Sequence, residues 1–177
     1  MPYAISIKCL NDTALPVVEL WREAAEFEEV PSMEALNYPP HMTLAVYDDI
    51  EPDRLIGAFR RAFHGGSAIS IAFSGICSFR NDFLVLWLRP VSDEPLRQIH
   101  AVLHAEIEPT LCHEYYRPGS WVPHCTIAMR IPHAVSEQAI RWADERRAEF
   151  SVTFNAADCL WFHPVEIMSE ILLAQRP

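Results

Sequence analysis

The chain has 177 residues, half of them hydrophobic, enough to build one domain or two tightly packed small lobes. Its 14 basic and 24 acidic residues leave a formal charge of −10, which opposes sequence-independent attachment to long nucleic acid and favours a small nucleotide or an RNA end over a duplex. No run approaches the roughly 18 apolar residues of a membrane helix, the start lacks a secretory pattern, and the five cysteines form no CxxC pair, so a soluble, cytoplasmic, monomeric protein with reduced thiols is expected.

Residues 3–10 read as a strand and 13–27 as a helix with Leu15, Val18 and Trp21 as its apolar stripe. A strand opening with His41-Met42-Thr43-Leu44 follows, then a helix over 51–63 with Leu55, Ala58, Phe59 and Ala62 inward, and a strand over 68–78. The series then recurs. A strand over 83–89 contains the apolar run Leu84 to Leu88, which reads as a central strand covered on both faces. A helix over 94–111 places Leu96, Ile99, Val102, Leu103 and Ile107 inward. His124-Cys125-Thr126-Ile127 opens the next strand, a helix is expected over 135–148 and a strand over 149–160, and a last strand over 168–174 ends the series.

The two tetrapeptides lie 83 residues apart (41 to 124), each directly after a proline, Pro40 or Pro123, with an aromatic residue two positions before that proline, Tyr38 or Trp121. Phe73 answers Phe154 at 81 residues and Cys77 answers Cys159 at 82, so the copies stay nearly in register. Self-similarity over about 80 residues is too long for a solenoid unit and suits a duplicated α+β lobe.

The chemistry follows from the pattern. On a strand, residues two apart share a face, so each imidazole points the same way as its threonine hydroxyl. One histidine can remove a proton from an attacking oxygen while the other donates to a leaving oxygen, and the hydroxyls can bind the non-bridging oxygens of a phosphate. Such a reaction requires no metal or cofactor, and none is expected.

These paired motifs, their separation and the duplicated element order resemble the 2H phosphoesterase superfamily, of the bacterial 2′-5′ RNA ligase-like and cyclic nucleotide phosphodiesterase type, over nearly the whole chain. The resemblance implies a single domain over 1–177 with a pseudo-two-fold bilobal α+β fold, two mainly antiparallel sheets forming a central cleft and helices outside. Its lobes would be built from repeats at about 3–80 and 83–160 plus the final strand over 168–174. By the same resemblance His41 and His124 are catalytic and Thr43 and Thr126 bind phosphate. The activity implied is opening of 2′,3′-cyclic phosphates by water, or cleavage or joining of 2′-5′ linked RNA. ATP-driven ligation is disfavoured, because Gly65-Gly66 does not form a GxxxxGK[ST] loop. A non-catalytic nucleotide or RNA end-binding module with the same cleft is the alternative.

Other candidates surround the motifs. Tyr38 and Trp121 either stack on a base or, as we favour, pack under the motif strands. The loop 113–120 is either a substrate-facing segment, with Tyr115 or Tyr116 and Arg117 as contacts, or a surface turn, and Arg80, Arg117 and Arg130, at or near the edges of the motif segments, could form a local basic patch. His100 and His104 have metal-ligand spacing but lack the glutamate of HExxH. His64, His133 and His163 sit at element ends as caps or surface residues, and Glu19, Arg22, Glu23 and Glu26 form a solvated helix face.

Overall fold

A computed structural model describes residues 2–162 and 164–175; the expectation for His163 lies outside them. The elements in chain order are β1 (Tyr3–Lys8), α1 (Leu15–Ala24), α2 (Ser32–Ala35), β2 (His41–Tyr47), α3 (Pro52–Phe63), β3 (Ile69–Arg80), β4 (Leu84–Pro90), α4 (Glu94–Glu106), β5 (Cys125–Ile131), α5 (Ser136–Glu145), β6 (Glu149–Phe154), β7 (Ala156–Trp161) and β8 (Glu166–Leu172). The strands form two four-stranded antiparallel sheets, β2-β1-β7-β8 and β5-β4-β3-β6. The motif strands β2 and β5 are the inner edges of the two sheets and lie against each other.

The sheets do not coincide with the sequence repeats. The single strand expected over 149–160 is two strands in different sheets, broken at Asn155. Asn155 donates its N–H to the carbonyl of Lys8 (3.1 Å), accepts from Leu173 N–H on its own carbonyl (2.9 Å) and accepts from Leu10 N–H on its side chain (2.7 Å). These three bonds turn the chain out of the second sheet and into the first. In return β3, from the first half of the chain, lies in the second sheet beside β4. The halves have exchanged their third strands, and each sheet needs both.

Backbone chemistry explains the element ends. The side chain of Asn11 accepts from Thr13 N–H (3.0 Å), starting a 3₁₀ turn that leads into α1. The expected helix over 13–27 is therefore α1 flanked by two 3₁₀ turns, and its buried stripe is Val17, Leu20, Trp21 and Ala24, leaving Leu15 exposed. Helix α4 stops at Glu106 and a separate turn begins at Pro109, which lacks the N–H needed to continue the helix. Its buried face carries His100 and His104 beside Leu96 and Leu103, while Val102 is exposed. Gly75, at φ +101°, sits where β3 slips register against β4, a conformation that side chains resist.

Helix α3 packs on β7 and β8, α1 and α2 on β5, and α5 on β3. A continuous core runs from Ile5 and Leu44 in the first sheet to Leu86 and Ile127 in the second. Leu55 and Phe59 of α3 are fully buried, each contributing about 1.5–3 kcal/mol. Among the described residues no helix is long and apolar enough to cross a membrane, and all five cysteines are free thiols.

Candidate active site

Each motif strand carries a bulge at the same place. Ile5 pairs with Ala45 and Ser6 with Thr43, which leaves Leu44 as the extra residue; Leu86 pairs with Ala128 and Trp87 with Thr126, which leaves Ile127. Leu44 and Ile127 are the fourth residues of the two motifs. Both are buried, as are Met42 and Cys125, while His41, Thr43, His124 and Thr126 are half-exposed on the opposite face. The alternation expected of a strand thus separates the chemical pair from the core pair in both copies.

The histidines are held alike. His41 donates Nδ1–H to the carbonyl of Pro39 (2.9 Å) and His124 donates Nδ1–H to that of Val122 (2.7 Å), each reaching two residues back. A ring so fixed presents Nε2 outward, as an acceptor when neutral and a donor when protonated. The thiol of Cys125 reaches the main chain of His41, and a charge on His124 is felt at His41. The two imidazoles therefore lie near each other.

Burial pushes the His41 imidazole down to about 4; the Pro39 carbonyl works against this, and His124 and Lys8 add to it. Burial also lowers His124, with the Val122 carbonyl opposing. Both rings favour the neutral form.

The threonines are positioned from behind by two crossed indoles. Trp21 of α1 donates to the carbonyl of Thr126 (3.0 Å), and Trp121 donates to that of Thr43 (3.1 Å). Each motif strand is thus pinned by a tryptophan from the other half of the chain. Two surface hollows of about 510 and 380 Å³ lie elsewhere, the first lined by Asn11, Thr13 and Ser70 and the second by Arg97, His100 and Pro118, and neither contains a motif residue.

A model of the 2′-5′ RNA ligase superfamily matches residues 16–165, a span that includes both motifs. The chain belongs to that superfamily, the 2H phosphoesterases. E. coli LigT complexed with 3′-AMP superposes with a TM-score of 0.66 at 13% identity, covering 99% of this chain and 100% of that one. The Thermus thermophilus protein TT0787 gives 0.65 at 16% identity over all of both chains. Kluyveromyces marxianus Usb1 with uridine monophosphate gives 0.52 at 14% identity over 98% of each. Among curated proteins none matches the sequence. At these identities the superpositions establish a shared fold.

In this 2H protein several candidates outside the motifs have other roles. Tyr38 and Trp121 are buried and unavailable for stacking on a base. The Tyr38 hydroxyl donates to both carboxylate oxygens of Asp158 (2.7 and 2.8 Å), and the Trp121 ring lies flat on His100 at 4.3 Å. Arg117 braces its own loop, donating to the carbonyls of Cys112 (2.9 Å) and Thr110 (3.1 Å). Tyr116 is half-buried, and its carbonyl receives the Nε2 atoms of His100 (2.8 Å) and His104 (3.2 Å). Those two Nε2 atoms also lie 3.1 Å from each other, and this packing accounts for the spacing of the two rings. Arg80 and Arg130 are exposed.

Both sheets place further polar and aromatic side chains beside the motifs that the motifs did not flag. On the first, Ser6, Lys8 and Asp158 are buried beside the motif. A signal existed: Ser6 and Lys8 alternate with Ile5 and Ile7, and a lone aspartate interrupts the apolar run of β7. On the second sheet the rings of Phe79 and Trp87 flank His124 at 5.2 and 5.9 Å. The β4 run is indeed apolar on both faces, but one of them is this aromatic wall of the cleft.

Proposed function

We propose that the chain is a metal-independent phosphoesterase that hydrolyses cyclic phosphates of the 2′,3′ type, or 2′-5′ phosphodiester linkages, in nucleotides or RNA ends. The observation that carries this reading is the duplication of both chemical groups in one site: two imidazoles presenting Nε2 from Nδ1-anchored rings, each two residues from a half-exposed threonine hydroxyl. A binding module needs anion donors; it has no use for a matched base and acid. The relatives crystallised with 3′-AMP, ATP and uridine monophosphate support a small nucleotide or RNA terminus as substrate.

In hydrolysis one neutral histidine accepts the proton of the attacking water at Nε2, and the other, protonated, delivers one to the departing ribose oxygen. Thr43 and Thr126 donate hydrogen bonds to the non-bridging oxygens as charge builds on them.

The test is turnover of a panel of 2′,3′-cyclic nucleotides and 2′-5′ and 3′-5′ dinucleotides in excess EDTA. Wild type is expected to act, and His41→Ala and His124→Ala are each expected to lose about 10²- to 10⁴-fold. Activity that survives either substitution rejects the two-histidine mechanism. Saturable nucleotide binding with no product leaves the binding module as the function.

A further inference from the structure

The two walls of the site differ in charge, and the difference falls on one histidine. Lys8 stands directly opposite His41 in the β1–β2 register, as Ser6 stands opposite Thr43. It is 1% exposed, and its ammonium is bound by Asp158 of β7 at 2.7 Å and by Glu170 of β8. Burial disfavours the ammonium, yet hydrogen bonds to the two carboxylates outweigh that and hold its pKa above the ordinary lysine value. It therefore stays charged through the neutral range.

Of these three charges the one felt at His41 is that of Lys8, whose strand is also the nearest. Strands are spaced about 4.8 Å apart, so β7 lies two spacings from β2 and β8 three, against one for β1. Tyr38 stands between: its ring meets the His41 ring edge-on at 4.7 Å, its hydroxyl is spent on Asp158, and the Lys8 ammonium lies 5.3 Å from its centre. The groups facing His41 are thus Lys8 from β1, Tyr38 from the preceding loop, and His124 and the Cys125 thiol from the other motif, with Asp158 and Glu170 behind Lys8.

The second wall lacks this charge. The position matching Lys8 is Arg89, two residues beyond the Trp87 that pairs with Thr126, but Arg89 is exposed and turns its guanidinium to the carbonyl of Ser74 (3.1 Å). His124 instead rests against the rings of Phe79 and Trp87, which bring no charge to it.

The geometry points to Lys8 as a positioning residue that keeps His41 unprotonated, so that in ring opening His41 is the base and His124 the acid. This assignment rests on the hydrolytic reading above. The water oxygen attacks phosphorus and gives its proton to Nε2 of His41; the bond from phosphorus to the ribose oxygen breaks, and that oxygen takes the proton from Nε2 of His124. The histidines then exchange one proton with solvent to return to their starting states.

The experiment is an NMR titration of both imidazoles in the free protein, which reports whether or not the protein turns over any substrate. In wild type His41 is expected to titrate below His124. Lys8→Met is expected to raise the His41 titration midpoint, and by more than it raises that of His124. Because removing Lys8 strands two carboxylates and can unfold the chain, Glu170→Gln at the outer strand is the second variant. It leaves Lys8 less neutralised and is expected to move His41 down. If His124 titrates first, or if neither variant moves His41 more than His124, the assignment is wrong. With an active enzyme, the acid limb of kcat/KM should follow His41 in both variants. A protein that shows the titration shifts and no turnover refutes the hydrolytic reading while leaving the electrostatic one intact.

Discussion

Trp121 donates its indole N–H to the main-chain carbonyl of Thr43 across 78 residues of sequence. With the reciprocal bond from Trp21 to Thr126, it makes the placement of each motif threonine depend on the other half of the chain. Trp121→Phe keeps most of the ring stacked on His100 and removes only the donor. It is expected to lower stability by about 1–3 kcal/mol, because the Thr43 carbonyl loses a partner in a buried setting. It should also lower kcat about tenfold as the hydroxyl drifts from its place. Chemical denaturation and steady-state kinetics read the two effects; lost stability with unchanged kcat would reduce the indole to packing.

Thr43→Val and Thr126→Val preserve shape and remove a hydroxyl that is half-exposed toward the cleft. Each is expected to reduce kcat about 10²- to 10³-fold with little change in KM, since the hydrogen bond strengthens as charge accumulates in the transition state. Threonine to serine at the same positions should restore most of the rate. A rise in KM at constant kcat would mean that the hydroxyls hold the ground-state phosphate only.

Much of this was legible in the chain, and the parts that were not have a common cause. Period-two alternation and an 83-residue repeat are local signals, and they located His41, Thr43, His124 and Thr126, the exposed faces of both motifs and most of the elements. The exchange of β3 and β7 between sheets is decided by bonds from Asn155 to Lys8, Leu10 and Leu173, partners distant in sequence from it or from one another. The placement of Asp158 beside Lys8 and of Phe79 beside Trp87 follows from that exchange, because cross-strand neighbours are fixed by sheet order. Tyr38 illustrates the same limit: its position beside the motif was visible, but its partner Asp158 lies 120 residues away.

Acid should unfold the protein earlier than its carboxylates alone require. His41 and His104 are both pushed down to about 4, chiefly by burial, with His124 and Lys8 acting on the first and His100 on the second. An unfolded histidine takes up its proton near pH 6.5. Between about pH 6.5 and 4 the unfolded chain therefore binds more protons than the folded one, and the stability fully present above pH 6.5 is lost as pH falls through that window. Denaturant midpoints measured from pH 7.5 to 4.5 should fall steadily. His104→Gln should flatten the slope, though it also lowers the starting stability by removing a bond to the Tyr116 carbonyl. A profile that is level down to pH 4.5 would mean that both rings are hydrated in solution.

Tyr38→Phe and Tyr38→Leu, compared, separate the two roles once open to that residue. The ring is buried and its hydroxyl is committed to Asp158, a carboxylate with no exposure to solvent. Removing the hydroxyl leaves Asp158 with Lys8 as its remaining charge partner and should cost about 1.5–3 kcal/mol, the range for hydrogen bonds to charged groups. The aromatic face is unchanged, so a base stacked on it would still bind, and so would one that never touched it. The informative variant is therefore Tyr38→Leu, which removes the face as well. Tyr38 is buried beside the His41 ring, so KM is expected to stay within about twofold of wild type in both variants, while kcat falls in Tyr38→Leu, where the His41 ring loses its edge-on support, and changes little in Tyr38→Phe, where the ring remains. A KM that rises tenfold in Tyr38→Leu alone, at kcat equal to that of Tyr38→Phe, would show the ring opening to the cleft when substrate arrives and would return base stacking to this position.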